Sequence, residues 1–132
     1  AEINNAEYNH ETNILLLEVS GTSLLKGLTP NFEALYNSTD RFNGILVTAA
    51  SDDEFDFHSR YFWPWSSTNE DPVTGGTHTF LTPYWSKRLG KTKMKSFQSS
   101  SRTGFMEVEL INESKFTIKS EAVIVFEGEL AI

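Results

Sequence analysis

The chain has 132 residues, with 11 Lys and Arg against 18 Asp and Glu, and a formal net charge of −7. This length suits one compact unit, and we expect residues 1–132 to form a single domain. The acidic balance opposes nucleic-acid binding, which depends on basic side chains that displace counterions from phosphates. The absence of cysteine excludes a disulfide framework and a cysteine nucleophile. No apolar run approaches the roughly 20 residues of a membrane-spanning helix, so we expect no membrane partner and a cytoplasmic location.

The first half of the chain contains two apolar strand candidates and a short helix. Apolar residues fall on both faces of Asn13 to Val19, which predicts a strand covered on both sides. Thr29 and Pro30 have the form of a hydroxyl N-cap followed by proline at the first helical position, and they predict a helix over 31–36. A second strand is predicted from Gly44 to Ala49.

An alternation of period two runs from Phe55 to Trp65 and concentrates the aromatic residues of the chain. It predicts a core strand with a large apolar surface. An aromatic platform for a ligand is the alternative interpretation, and the alternation by itself does not favour it.

Three further apolar alternations follow in the last third of the chain. They cover Met106 to Leu110, Lys115 to Lys119, and Val123 to Leu130 with Gly128 inside it. Asn112 to Ser114 is predicted to be the tight turn between the first two. A meander of mostly antiparallel strands beside a few helices gives an α+β fold class.

The stretch between the aromatic strand and the meander combines two turn dipeptides with a helix. Asp71-Pro72 and Gly75-Gly76 are typical of turns, and an apolar pattern over 79–89 followed by Gly90 predicts a helix. Pro83 requires that this helix either begins near it or is kinked there. Free backbone N–H groups at the positive end of a helix dipole bind anions, whereas many glycine pairs serve only to allow a positive φ.

Several segments of this sequence resemble the PhzF-like phenazine-biosynthesis family, particularly its MAWD-binding-protein branch. The element Asp-Pro-x-Thr-Gly in this context is specific, and the resemblance covers most of the chain. The segments that carry it are Asp56 to Phe62, Glu70 to His78, Pro83 to Ser86, Leu89 to Lys91 and Glu127 to Leu130.

The resemblance implies a fold like one half of diaminopimelate epimerase: a curved, mostly antiparallel β-barrel wrapped around a central helix. The chain would be the C-terminal half of a two-half protein, and a start at Ala1 rather than Met fits a cut or trimmed chain. The expected partner is therefore the N-terminal half of the same protein, or a second copy in a homodimer.

The resemblance also implies a site. Asp71 corresponds to an aspartate that faces the substrate, and Gly75, Gly76, Thr77 and His78 correspond to the loop that holds a substrate carboxylate. Many relatives have serine where this chain has Gly76, so a proton donor is missing there. From the residues themselves, an Asx-type turn cap is an equal alternative for Asp71, and a structural hydrogen bond is the favoured alternative for His78.

The implied activity is an isomerisation by proton transfer that needs no metal and no organic cofactor. The glutamate that acts as general base in the family belongs to the N-terminal half, so this chain would supply the carboxylate-binding loop and an aspartate. The alternative is a catalytically inactive binding or protein-interaction module of the same fold. The three histidines are too scattered to indicate a metal site.

Overall fold

The structure, a computed structural model, describes residues 2–66 and 68–131. Strands and helices alternate along this part of the chain, as the α+β prediction requires. No helix within it is long and apolar enough to cross a membrane. The elements in chain order are β1 (Ile3–Asn9), β2 (Ile14–Val19), α1 (Thr22–Gly27), α2 (Phe32–Ser38), β3 (Gly44–Ala50), β4 (Phe57–Phe62), β5 (Glu70–Asp71), α3 (His78–Leu89), β6 (Lys93–Gln98), β7 (Gly104–Asn112) and β8 (Lys115–Lys119).

The strands form one mixed sheet in the order β1-β2-β3-β4-β6-β7-β8, and the short β5 pairs with β4. The β2–β3 and β4–β6 pairings are parallel, and the remaining described pairings are antiparallel. The predicted α+β fold with a curved, mostly antiparallel sheet is confirmed. Among the described residues, the edge strands β1 and β8 do not pair with each other, so the sheet curves without closing into a complete barrel.

Helix α3 lies in the hollow of this sheet. Leu81 and Trp85 of α3 are almost fully buried, in a core that includes residues of β2, β3, β4, β6 and β7. The Trp85 ring stacks on Phe57 with 5.7 Å between centroids, and its Nε1 donates to the Thr48 hydroxyl at 2.9 Å. A helix surrounded by strands must be apolar on most sides, which explains its aromatic composition.

A buried polar group fixes the orientation of α3. The Tyr84 hydroxyl donates to the Glu18 carboxylate of β2, which is 6% exposed and also contacts Arg88 at 2.7 Å. Burial, together with Glu18, raises the pKa of Tyr84 to about 12, so the hydroxyl keeps its proton at neutral pH. Asn5 of β1 donates to the same hydroxyl at 3.1 Å, which joins three elements of the fold.

Helices α1 and α2 cover the opposite face of β2, β3 and β4. A second apolar cluster there includes Val19, Leu25, Ile45 and Phe62. Since Leu16 and Leu46 pack towards α3, the central strands are covered on both faces. This confirms the prediction for residues 13–19.

Some local predictions need correction. Helix α2 begins at Phe32, and its N-cap is Asn31, whose side chain accepts from the Ala34 N–H at 2.9 Å, so the predicted Thr29 cap and Pro30 start are wrong. The aromatic strand covers only 57–62, and its core role is confirmed. Helix α3 begins at His78 and continues through Pro83, and Gly90 caps its end at φ 66°.

The final apolar run is the largest departure from the sequence prediction. Residues Val123 to Leu130 form no strand, and their side chains are exposed. A strand needs a neighbour for its backbone groups, and no described strand lies beside this segment. The prediction of a third strand in the meander is therefore wrong for this chain.

Gly44 of β3 provides a prediction about packing. A Cβ at this position would overlap the ring of Tyr61, a core residue that is 5% exposed. We expect Gly44→Ala to lower the free energy of unfolding by about 1–3 kcal/mol, the usual cost of overpacking. Urea unfolding measures this, with Gly21→Ala as the control because a Cβ at Gly21 meets nothing within 4 Å. Equal stability of both variants would contradict the packing role of Gly44.

Candidate functional site

The turn that leads into α3 presents backbone N–H groups with no acceptor. The N–H groups of His78 and Thr79 donate to the carbonyls of Gly75 and Gly76, at 3.0 and 3.2 Å. These bonds move the unpaired donors of the helix start back by one turn. Within residues 2–66 and 68–131, the N–H groups of Gly75, Gly76 and Thr77 donate to no acceptor. We call these three groups the amide cradle, and their position at the helix N-terminus favours an anion.

Neither glycine of the cradle is required by backbone conformation or by packing. Among the described residues, the glycine with positive φ is Gly90, so Gly75 and Gly76 have conformations open to other residues. A Cβ at either position would meet nothing within 4 Å. The space beside the cradle is therefore empty of protein atoms, and it is the side from which a ligand can approach the backbone.

A buried glutamine holds the turn in place. Gln98 of β6 is 2% exposed, and its Oε1 accepts from the Thr74 N–H at 2.8 Å. Its Nε2 donates to the Asp71 carbonyl at 2.8 Å and to the Thr74 hydroxyl at 3.0 Å. Sequence reasoning missed Gln98 because nothing in the polar β6 sequence indicates burial. The amide of this side chain fixes the cradle relative to the sheet.

Asp71 lies next to this network. Its Oδ2 accepts from the Thr74 hydroxyl at 2.5 Å, a contact of the turn-capping kind. Asp71 is paired with Tyr61 in the β4–β5 register, and its charge adds to burial in raising the pKa of Tyr61. Asp71 therefore caps the turn and lies beside a residue that lines the neighbouring cleft.

The His78 side chain is used within the protein. The ring is 1% exposed, its Nδ1 lies 2.9 Å from the Thr74 carbonyl, and its Nε2 lies 2.7 Å from the Ser96 hydroxyl. These partners assign the proton to Nδ1, with Ser96 donating to Nε2. Burial lowers the pKa of His78, so the ring is neutral at physiological pH. The contacts are those of the structural alternative, in which the ring fixes the turn from inside.

The lowered pKa predicts a pH dependence of stability. Unfolded His78 has a pKa of about 6.5. Because its folded pKa is lower, the unfolded state binds the proton first as the pH falls. The free energy of unfolding should decrease below about pH 6.5, by up to about 1.4 kcal/mol per pH unit from this group, until the folded pKa is reached. Comparing urea unfolding at about pH 7.5 and about pH 5 in the native protein and His78→Gln isolates this contribution, and equal slopes would contradict it.

An open cleft of about 640 Å³ adjoins the cradle. Three aromatic side chains, Tyr61, Trp63 and Trp65, line it together with Gly76 and Thr77. Thr12, Ile14 and Asn43 come from the β1–β2 turn, β2 and the start of β3. The site therefore combines anion-binding amides with a wall suited to a flat apolar group.

A second cleft of similar size, about 630 Å³, lies over the outer face of β6 and β7. Its lysines stand opposite glutamates across the strands, with Lys93 paired to Glu109 and Lys95 to Glu107. This surface is a balanced, solvated charge ladder. The amide cradle and its aromatic cleft are the stronger candidate.

Comparison with known proteins agrees with this geometry. The family model described as phenazine biosynthesis-like protein matches residues 3–128. The phenazine biosynthesis-like domain-containing protein of Bos taurus is 38% identical over 138 residues, which cover 97% of this chain and 48% of the relative. A protein of Halalkalibacterium halodurans, named an uncharacterised isomerase, is 40% identical over 118 residues, which cover 89% of this chain and 43% of the relative.

Solved structures show the same likeness. The crystal structure of a phenazine biosynthesis PhzC/PhzF protein from Clostridium difficile superposes with a TM-score of 0.87 at 35% identity, covering 100% of this chain and 49% of that one. A PhzF-family protein from Enterococcus faecalis gives a TM-score of 0.78 at 36% identity, covering 92% and 46%. The chain spans about half the length of the curated relatives that it matches.

Proposed function

Because the chain belongs to the phenazine biosynthesis-like (PhzC-PhzF) family, we propose that it forms the C-terminal half of a cofactor-independent isomerase. In this proposal the amide cradle binds a carboxylate or oxyanion of a small substrate, and a second half supplies the general base. The bacterial relatives named isomerases support the reaction class. The observation that carries the proposal is the set of unpaired N–H groups at Gly75, Gly76 and Thr77 beside open space.

The proposed chemistry needs two kinds of group. A base removes a proton from carbon, which pushes negative charge onto an adjacent oxygen or carboxylate. Fixed N–H donors at a helix N-terminus stabilise that charge and do not have to reorganise as it develops. Gln98 and His78 hold these donors in position from the protein side, which is the pre-organisation that such a site requires.

Asp71 has a secondary role in this proposal. Its Oδ2 is bonded to the Thr74 hydroxyl, and it lies beside Tyr61 at the wall of the cleft. We assign it to proton relay or hydrogen bonding of the substrate. Since Gly76 carries no hydroxyl, Asp71 is the acid or base of this half that stands nearest to the cradle in the chain.

The aromatic wall indicates the class of carboxylate. Tyr61, Trp63 and Trp65 offer flat apolar surface next to Gly76 and Thr77. A carboxylate attached to an unsaturated or ring-like body can place its charge on the amides and its body on these rings. We expect the site to prefer such compounds over small aliphatic acids.

Titration of the isotope-labelled chain with benzoate and acetate, followed by amide NMR spectra, tests this proposal. We expect the amide signals of Gly75, Gly76 and Thr77 to shift with both acids, and benzoate to bind at least about tenfold more tightly, because an aromatic contact adds about 1 kcal/mol or more. The amides of Gly21 and Gly90 serve as controls and should not shift. Unchanged cradle signals at saturating benzoate would contradict the proposal.

The isolated chain should bind these acids without isomerising a substrate, because the proposal assigns the base to the other half. Turnover by the chain alone would show that the base lies within these residues. Binding without turnover, even after a second half is added, would favour the inactive binding module.

A further inference from the structure

The segment after β8 is the least explained part of the molecule. We call residues 121–131 the C-terminal arm. It contains no helix or strand, and its large apolar side chains face water. Val123 is 84% exposed, Ile124 86%, Val125 91% and Phe126 84%. Single exposed apolar residues are ordinary on a protein surface, whereas four consecutive ones mark an interaction site.

The arm has the sequence of a strand that is covered on both faces. In an extended chain, Val123 and Val125 point to one side, and Ile124 and Phe126 point to the other. Branched and aromatic residues on both sides are typical of a strand inside a sheet that is covered above and below. Within this chain, β3 shows that situation, because Gly44 to Ala49 are all buried between the two apolar clusters.

The edges of the sheet do not offer such a place. Strand β8 lies at one edge, and all of its residues except Phe116 are exposed. Strand β1 lies at the other edge and is also mostly exposed. An arm added beside either strand would leave at least one of its apolar faces in water. The sheet that accepts the arm therefore belongs to another folded unit.

The length of the relatives indicates which unit this is. The C. difficile structure covers 100% of this chain, arm included, yet this chain covers only 49% of that protein. A similar length of polypeptide is therefore present there beyond the matched part. The same holds for the curated relatives, of which this chain covers 48%.

We propose that the C-terminal arm is a β-strand that enters the sheet of the companion half and holds the two halves together. Backbone N–H and C=O groups of the arm would pair with strands of that half, and the two apolar faces would be buried within it. This rests on the pairing of two halves in the proposed function and identifies the segment that makes it. The acidic Glu121 and Glu127 flank the apolar run and oppose self-association of exposed arms.

Hydrogen exchange of the arm amides tests the proposal. The first sample is the 132-residue chain, and the second is a fusion of this chain to the half of the C. difficile protein that it does not match. We expect the amides of 123–126 to exchange rapidly in the chain alone and at least about 100-fold more slowly in the fusion, since ladder hydrogen bonds protect amides from exchange. The amides of Ile45 to Val47 in β3 should be slow in both samples and report that the chain is folded.

Matched variants of the fusion separate the arm from other exposed apolar residues. Val125→Asp should restore rapid exchange throughout the arm, because a carboxylate cannot be buried unpaired. Ile111→Asp makes the same change at a residue of β7 that is 55% exposed, and it should leave the arm slow. Gly75→Val should also leave the arm slow, so a failed carboxylate site and a failed docking arm give different results.

Three outcomes would overturn the proposal. Arm amides that exchange equally fast in both samples would show that no companion sheet accepts the arm. Slow arm amides in the isolated monomer would place the arm on its own sheet, and slow arm amides with the mass of a dimer would identify a second copy as the acceptor. If the fusion does not fold, the same comparison uses the intact C. difficile protein with residues 121–131 of this chain in place of its own matching segment, and rapid exchange there would likewise overturn the proposal.

Discussion

Gly75→Val is expected to weaken carboxylate binding at least about 100-fold, because two charge-assisted hydrogen bonds of about 1.5–3 kcal/mol each would be blocked. The Cβ of residue 75 would meet nothing within 4 Å, so the added methyl groups occupy the space in front of the cradle and leave the core unchanged. We therefore expect the free energy of unfolding to change by less than about 1 kcal/mol. Isothermal titration with benzoate and urea unfolding measure the two quantities.

The control is the same substitution at a glycine with equal freedom. Gly21 has an extended backbone with φ −179°, and a Cβ there also meets nothing within 4 Å. Gly21→Val should leave both binding and stability near those of the native protein. If Gly75→Val binds benzoate normally, the anion site lies elsewhere, and the interpretation of the cradle is wrong.

Arg60→Met is expected to lower the free energy of unfolding by about 3–5 kcal/mol, since it leaves buried partners without a counterpart. The Arg60 side chain is 10% exposed and forms two parallel hydrogen bonds with Glu70, at 2.8 and 2.9 Å. Its remaining terminal nitrogen donates to the carbonyls of Leu25, Lys26 and Leu28 at the end of α1. One guanidinium thus joins β4, β5 and α1.

Two further variants show which part of this arrangement matters. Arg60→Lys keeps the charge but not the planar geometry, and it should recover only part of the loss. The double variant Arg60→Met with Glu70→Met removes both charges, and it should be more stable than Arg60→Met alone. Urea unfolding of the four proteins measures these differences. A loss below about 1 kcal/mol for Arg60→Met would mean that the pair behaves like an exposed surface ion pair.

The elements that sequence reasoning found are those whose burial is apolar. Strands β2 and β3 present apolar residues on both faces, and α3 ends at a glycine with positive φ, so each carries its signal locally. Strand β6 was missed because its buried positions include Ser96 and Gln98. Their burial is possible only because His78 and the turn before α3 supply hydrogen-bond partners, which no local pattern reveals.

The candidate site divides in the same way. The Gly75-Gly76 turn before a helix was predicted from residue types alone, together with its tendency to bind anions. The sequence could not show that the glycines have ordinary φ and open space on one side, because that depends on where β4 and β6 lie. It also could not show that both ring nitrogens of His78 are already in use.

By itself, the sequence determined the α+β class, the helix that ends at Gly90 and the glycine turn before it, because apolar spacing and backbone freedom are properties of neighbouring residues. Only the tertiary structure decided that the sheet curves without closing, that Gln98 and His78 hold the turn, and that residues 123–126 remain in water. Each of these depends on which distant strand supplies a hydrogen-bond partner or a covering face. The arm carries a strand signal without a described strand beside it, so its local pattern and its surroundings disagree within this chain.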